Sequence, residues 1–183
     1  MLKNVENKAV LIDRVDEFIV CGDPGCDGYN GTAVAIYEQI LRKKTEITFI
    51  VGDMVPNGHS FYYDQFKDIT NTSAQNPVYC VVGNHDIKNY EEYLGHKNYY
   101  IKSEKALFIV LDNSKRYFDE ETHTFFKETL DNNCDCPTFI FFHIPPPNEH
   151  VDNTIASEQW DKIKANMEVH KKYIECIFAG HVH

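Results

Sequence analysis

The chain has 183 residues, 43% of them hydrophobic, which is enough for one domain with a substantial buried core over residues 1–183. Its formal net charge of −10 argues against a broad basic surface that follows nucleic-acid phosphates, so extended nucleic-acid binding is not expected. No apolar run approaches the ~18 residues that span a bilayer, and charges interrupt the first ten residues, where a secretion signal would be apolar. We therefore expect a cytoplasmic protein without membrane association, whose six cysteines stay reduced.

Six apolar runs bounded by turn residues predict strands, and in chain order they read EFIVCGD, EITFIVGD, PVYCVVGNHD, ALFIVLDNS, PTFIFFHIPPP and YIECIFAGHVH. Most are continuously hydrophobic, as strands covered on both faces should be. Between the first two, GTAVAIYEQILRKK predicts a helix whose apolar face contains Ala33, Ile36, Tyr37, Ile40 and Leu41. DEETHTFFKETLDNN and SEQWDKIKANMEVHKK predict helices before and after the last but one strand. This alternation indicates an α/β domain with helices packed on its sheet faces.

Polar side chains that suit metal binding follow five of these strands, where the apolar part ends. They are Asp23, Asp53, Asn84, His85, Asp86, His143, His181 and His183. Ligands of open α/β sheets bind outside the carboxyl ends of the strands, so these side chains are expected at one edge. Taken singly, Asp23 and Asn84 also fit turn formers, and His143 fits a buried core histidine. One shared site explains all of these positions together.

The ordered motifs GD, GD, GNHD, a strand-final histidine and GHVH resemble those of the calcineurin-like metallophosphoesterase superfamily, over residues 23–183. The resemblance implies an α/β fold of two stacked mixed β-sheets flanked by helices, with a site for two divalent metal ions. It also implies that Asp53 bridges both metals, with Asp23 and His183 completing the ligands of the first. The second metal would be held by Asn84, His143 and His181.

The metals implied by this resemblance are divalent ions that accept both carboxylate and imidazole, namely Mn, Fe, Zn or Ni. Two such ions ~3.5–4 Å apart hold a hydroxide nucleophile and bind phosphoryl oxygens, and their charge reverses the local field of an acidic chain. The family does not use His85 as a ligand. It would stabilise the transferring phosphoryl group or protonate the leaving oxygen, while Asp86 either orients that ring or has a structural role.

The first motif departs from the superfamily pattern. Most members have Asp-x-His there, whereas this chain has Gly25 at the histidine position. Purple acid phosphatases resemble it in having Asp-x-Gly, but they supply a tyrosine ligand at the position that Pro56 occupies here. Water is the expected substitute, and Asp27 is the first alternative. The other nearby candidates are Cys26, His59, Tyr62 and Tyr63.

A second departure is that the sequence ends on an expected ligand, where family members continue into further strands. This is expected either of a C-terminally truncated chain or of a short variant with a less enclosed site.

Two functions are consistent with this sequence. The favoured one is a dinuclear metal-dependent hydrolase of phosphomonoesters or phosphodiesters, because a site without catalysis has no need for His85. The alternative is a weakly active or inactive binding or scaffold module, which the missing ligand at Gly25 and the abrupt end favour. Substrate contacts are expected in MVPNGHSFYYDQF and IPPPNEHVDNT, although the aromatic Phe61, Tyr62 and Tyr63 of the first segment are interpreted mainly as core.

Overall fold

The computed structural model describes residues 1–182, which form eight strands and five helices. The strands are β1 (Ala9–Leu11), β2 (Phe18–Cys21), β3 (Ile47–Val51), β4 (Val78–Val81), β5 (Tyr99–Lys102), β6 (Leu107–Val110), β7 (Thr138–Phe141) and β8 (Ile174–Phe178). The helices are α1 (Thr32–Leu41), α2 (Ser60–Ser73), α3 (Tyr90–Leu94), α4 (Glu120–Asn133) and α5 (Ser157–His170). None of these helices is both long and apolar enough to cross a membrane. His183, a predicted metal ligand, lies outside the described residues.

The strands form two sheets. In the three-stranded sheet, of order β2-β3-β4, both strand pairs are parallel. In the five-stranded sheet, of order β1-β5-β6-β7-β8, the pair β5–β6 is antiparallel and the other pairs are parallel. The mixed pairing expected of both sheets therefore occurs in the larger one.

The two sheets pack face to face through an aromatic core. Phe49 of β3 stacks on Phe141 of β7 with 4.3 Å between ring centroids, and Phe18 of β2 meets Phe108 of β6 edge to face at 5.3 Å. Helices α1 and α2 cover the outer face of the smaller sheet, while α4 and α5 cover that of the larger. This helix, sheet, sheet, helix order confirms the predicted architecture, and burial of its apolar faces is the main stabilising contribution.

The six predicted strands and three predicted helices are all present, but the predicted buried face of α1 was partly wrong. Tyr37 and Leu41 are buried as expected, whereas Ile36 is 53% exposed and Val34 is buried instead. The reason is the contact with α2, where the Tyr37 ring stacks on Phe66. That contact buries the face of α1 that contains residues 34, 37 and 41. The sequence has two adjacent apolar faces here, and it cannot show which of them packs against α2.

Helix α2 was missed, because its first half lies in the segment interpreted as a substrate loop. Its buried face includes the polar Gln65, Thr70 and Ser73, which conceal the helical period of its apolar residues. Tyr63 is fully buried, as predicted, but Phe61 is 62% exposed and so is not a core residue. The short elements β1, α3 and β5 were also not predicted.

Candidate active site

The site lies where the carboxyl ends of strands from both sheets meet. Beyond the strand ends the backbone continues to pair, since Asp23 N–H donates to the Gly52 carbonyl at 3.0 Å and Gly180 N–H donates to the His143 carbonyl at 2.9 Å. Gly25 N–H likewise donates to the Asp53 carbonyl at 3.0 Å. These bonds fix the loops that carry the predicted residues, so they bring the ends of β2, β3, β7 and β8 to one place.

The centre of the site is the Nε2 atom of the fully buried His143. Asn84 Oδ1 and His181 Nδ1 each lie 3.2 Å from it, and Asp53 Oδ2 lies 3.3 Å away. The other ring nitrogen, Nδ1, is 2.9 Å from the Val51 carbonyl, which only an N–H can bond. In neutral His143 the lone pair of Nε2 therefore faces the Asn84 and Asp53 oxygens, which can only accept. A positive charge at this point favours the arrangement, and either a proton on Nε2 or a bound metal ion would supply it.

The charges of this cluster agree with that requirement. Burial alone lowers the pKa of His143, but its hydrogen bond to Asp53 and the Asp53 charge outweigh burial, so the pKa is raised. Burial alone raises the pKa of Asp53, yet contact with His143 brings it below the usual value. Within residues 1–182, Asp53, His143 and His181 form the one group of three side chains whose ligand atoms all lie within 4.8 Å of one another.

His85 borders this cluster from the exposed side. Its backbone N–H donates to Asp53 Oδ1 at 3.0 Å, and its ring Nε2 lies 4.0 Å from Asp53 Oδ2. The ring is 53% exposed, and Nδ1 donates to the Pro56 carbonyl at 2.8 Å. Because Nδ1 carries the hydrogen of that bond, Nε2 is the ring nitrogen that faces Asp53, 4.0 Å from its nearest carboxylate oxygen. The ring is thus placed for proton transfer outside the ligand cluster.

Asp86 is fully buried, and its contacts favour the structural one of its two predicted roles. Its carboxylate accepts the Gly83 N–H at 2.8 Å and the Val55 N–H at 3.2 Å, while Pro56 holds the His85 ring. Burial, with a smaller contribution from the charge of Asp53, raises the pKa of Asp86 to about 7. Asp86 therefore joins the loops after β3 and β4, and these carboxylate bonds go to backbone N–H groups and not to the His85 ring.

His181 connects β8 to β2, because its backbone N–H donates to both carboxylate oxygens of Asp23, at 3.0 and 3.1 Å. Its ring Nε2 is buried without a hydrogen-bond partner in the described part of the chain. Burial, followed by the neighbouring His143, lowers the pKa of His181, so the neutral ring required of a metal ligand is favoured.

The backbone is strained at three of the predicted ligands. Asp23, Asp53 and His181 have φ values of 54°, 49° and 73°, in the left-handed region. Each such residue costs ~1–2 kcal/mol relative to the right-handed region. Strain of this kind persists where surrounding contacts impose it, and it is concentrated at functional sites.

Glycines allow the predicted ligands to approach the backbone closely, and a Cβ added at Gly180 would lie 2.6 Å from Asp23 Oδ2. A Cβ added at Gly52 would lie 2.1 Å from His143 Nδ1, and one at Gly83 would lie 2.2 Å from Asp53 Oδ1. Gly25 differs, because a Cβ there would meet no atom within 4 Å, although its φ is +49°. The position of the missing histidine is therefore open space.

Most of the predicted substitutes for that histidine are engaged elsewhere. Cys26 is fully buried, and burial raises its pKa to about 12, while the Tyr63 hydroxyl donates to the Asp86 carbonyl. His59 Nδ1 lies 3.1 Å from Lys88 Nζ. Tyr62 packs against the core, which leaves the exposed Asp27 as the remaining candidate.

Asn113 was missed by sequence reasoning. It is fully buried, its Oδ1 accepts the N–H groups of His143 and Ile144 at 3.1 and 3.0 Å, and its Nδ2 donates to the Ile144 carbonyl at 2.7 Å. These bonds hold the turn that carries His143. The available signal was the polar LDNS following the fourth predicted strand, which was not included among the strand-end residues.

A sequence model of the calcineurin-like phosphoesterase family matches residues 17–183, and the chain belongs to this family. Members of this class are metal-dependent phosphoester hydrolases, and they imply divalent metal ions at the site described above. No curated protein sequence matches the chain significantly.

Solved structures share the fold. A dimetal phosphatase from Danio rerio is 14% identical, with a TM-score of 0.69, and the match covers 91% of this chain and 81% of that one. A purple acid phosphatase from yellow lupin is 14% identical, with a TM-score of 0.72, covering 94% of this chain and 38% of the lupin chain. A phosphopantetheinyl hydrolase from Mycobacterium tuberculosis is 13% identical, with a TM-score of 0.58, covering 98% and 84%.

Proposed function

We propose that this protein is a dinuclear metal-dependent hydrolase of phosphomonoesters or phosphodiesters. The observation that carries the proposal is the convergence of Asn84, His181 and Asp53 on Nε2 of His143, all within 3.3 Å. Those four residues would hold one divalent ion. Asp23 and His183, with Asp53 shared, would hold the other.

The chemistry assigns separate tasks to the bound ions and to the side chains. When bound, the ions supply a nucleophile from water at neutral pH and positive charge for the phosphoryl oxygens. His85, whose Nε2 lies 4.0 Å from Asp53 Oδ2 at the exposed side of the cluster, would donate a proton to the leaving oxygen. The ligand set of carboxylate, amide and imidazole fits Mn, Fe, Zn or Ni.

Metal content and hydrolysis, measured on the same protein, test this proposal. The purified protein is stripped with chelator and reloaded with each candidate ion, and its metal content, melting temperature and rates on p-nitrophenyl phosphate and bis(p-nitrophenyl) phosphate are recorded. We expect hydrolysis and a higher melting temperature only in the loaded protein, because ions that bind the native state stabilise it by mass action. Equal rates and equal melting temperatures with and without chelator would contradict the proposal.

The second candidate is a binding or scaffold module with little or no catalysis. It is favoured by Gly25, which offers no ligand atom in an otherwise open position. A scaffold predicts a loaded, stabilised protein whose rates on both esters equal the rate in buffer. The hydrolase predicts turnover by the same loaded protein, so one experiment separates the two.

We also infer a cytoplasmic location from the six cysteines, which are all free thiols. Free thiols persist where the environment is reducing. Fractionation of cells that express the full natural protein tests this, and recovery from an oxidising compartment would contradict it.

A further inference from the structure

Arg116 lies in the loop after β6, which is tied directly to the turn that carries His143. Its backbone N–H donates to the Asn113 carbonyl at 2.8 Å, and Asn113 in turn accepts the backbone N–H of His143. Arg116 has a φ of +70°, like the strained predicted ligands, and it is followed closely by the buried Phe118. The position of this arginine is thus imposed by the contacts that also position the site.

Among residues 1–182, the charge of Arg116 is not paired with a carboxylate. Of the three arginines in the sequence, Arg14 pairs with Asp16 and Arg42 with Glu38, whereas Arg116 has no carboxylate within 4.0 Å among residues 1–182. Its Nη1 donates to Asn153 Oδ1, a neutral partner in the loop that follows His143. A guanidinium has five N–H donors, so most of them remain available for an anion. In a chain of net charge −10, an exposed arginine without a paired carboxylate among residues 1–182 is a candidate group for binding an anion.

Arg116 also lies beside the turn that carries a predicted metal ligand. Its backbone is bonded to Asn113, which holds the backbone of His143, and its guanidinium is bonded to Asn153 in the loop that follows His143. Both contacts of the arginine are thus with segments that adjoin the site.

We propose that Arg116 binds a phosphoryl oxygen of the substrate and makes the site selective for phosphomonoesters over phosphodiesters. This inference rests on the proposed function. A phosphomonoester has three non-bridging oxygens and a diester has two. If two of these oxygens face two bound cations, only a monoester has a third that needs another positive partner. A planar guanidinium suits that oxygen, because charge-assisted hydrogen bonds to phosphate are strong and directional.

The competing explanation is that Arg116 only tethers two loops through Asn153. The two roles predict different consequences. If Arg116 only tethers the loops, its loss should lower activity on both esters equally, and Asn153→Ala should have the same effect. If Arg116 binds phosphate, its loss should lower activity on monoesters selectively, and Asn153→Ala should leave that selectivity largely intact.

The test compares Arg116→Gln and Arg116→Lys with Lys115→Gln, which removes the same charge from the adjacent exposed position. All three substitutions keep a Cβ, so the strain at residue 116 is unchanged. The readouts are kcat/KM on p-nitrophenyl phosphate and on its bis ester, calorimetric binding of inorganic phosphate to the metal-loaded protein, and metal content.

We expect Arg116→Gln to lower kcat/KM on the monoester by ~10²-fold and to leave the diester little changed, since one lost donor to a phosphoryl group has about that effect. Phosphate should bind ~10–100-fold more weakly, Arg116→Lys should be intermediate, and metal content and Lys115→Gln should match the wild type. Equal losses on both esters, or the same loss in Lys115→Gln, would overturn the assignment.

The proposed function and the role of Arg116 fail in different ways. A wild type that binds metal but hydrolyses neither ester refutes the hydrolase, and phosphate calorimetry then decides about Arg116 alone. Weaker phosphate binding in Arg116→Gln supports its role, whereas unchanged binding, or no phosphate binding by the wild type, overturns it.

Discussion

The two halves of the site differ in how tightly they are packed. Around His143, a single added carbon at Gly52 would collide with the imidazole at 2.1 Å, and one at Gly83 would collide with the Asp53 carboxylate at 2.2 Å. Around Asp23 the packing is uneven, because a carbon added at Gly180 would lie 2.6 Å from Asp23 Oδ2, whereas the motif position Gly25 has no atom within 4 Å of an added carbon. Both halves use backbone in the left-handed region, so strain alone does not distinguish them.

This difference indicates which half is preorganised for its ion. Asn84, His143 and His181 already converge, and Asn113 fixes the His143 turn, so little rearrangement would accompany binding. The half that contains Gly25 lacks a side chain there, and water would have to complete its ligands. We therefore expect the ion at His143 to bind tightly and the ion at Asp23 to bind weakly.

The largest expected effect comes from Asp53→Ala, since this carboxylate is proposed to belong to both halves. We expect activity to fall by more than the ~100-fold typical of losing an outer partner of a metal site, with both ions missing by elemental analysis. Asp53→Asn, which keeps the shape of the side chain, checks that any loss does not merely reflect misfolding. Asp68→Ala, on the exposed face of α2, is the control for the change in charge. Retention of both ions in Asp53→Ala would contradict the shared position.

His85→Ala should reduce turnover without disturbing either half. We expect a loss of ~10²–10⁴-fold in kcat if the ring transfers a proton, with metal content unchanged. His150→Ala, whose side chain is 81% exposed, is the matched control and should behave like the wild type. If the His85 variant instead loses its ions, then the ring is a ligand and its assignment to proton transfer is wrong.

The contrast in packing can be measured with one methyl group on each side. Gly52→Ala should destabilise by about 1–3 kcal/mol through overpacking against His143, with about 1 kcal/mol more for a side chain at φ +87°. Gly25→Ala meets open space and should cost only about 1 kcal/mol, from its φ of +49°. Urea unfolding of both metal-free variants measures the difference, and equal midpoints would remove the distinction between the halves.

The smallest change should be Gly25→His, which restores the usual superfamily ligand. The open space admits the ring, and the left-handed backbone costs about 1 kcal/mol. We expect the weaker ion to bind more tightly in calorimetric titrations of the metal-free variant, while the tighter ion is unaffected. A folded variant with unchanged weak affinity would mean that another residue, with Asp27 first, already completes that half.

The secondary structure was largely predictable where hydrophobic pattern and element coincide. Continuous apolar runs gave all six strands that carry or flank the site, because parallel strands covered on both faces have few polar positions. Helix α2 was missed since Gln65, Thr70 and Ser73 lie on its buried face. The buried face of α1 was displaced, because the contact of Tyr37 with Phe66 depends on a helix that the sequence did not reveal.

What the sequence determined by itself is the kind of chemistry and its location in the chain. Residue type and position after a strand are local properties, so the motifs with Asp23, Asp53, Asn84, His143 and His181 were visible without a structure. Membership of the phosphoesterase family followed from their order. The absence of the usual histidine at Gly25 was likewise visible in the sequence.

Only the tertiary structure decided how these groups act on one another. The bond from His181 to Asp23 joins residues 158 positions apart, and the one from His143 to Val51 joins residues 92 apart. Contacts of this kind decided which ring nitrogen of His143 faces the ligand cluster, and they gave Asp86 backbone partners in place of His85. They also revealed Asn113 and Arg116 beside the site. The physical reason is that a proton position, a pKa and an uncompensated charge depend on neighbours in space, and a sequence specifies those neighbours only through the completed fold.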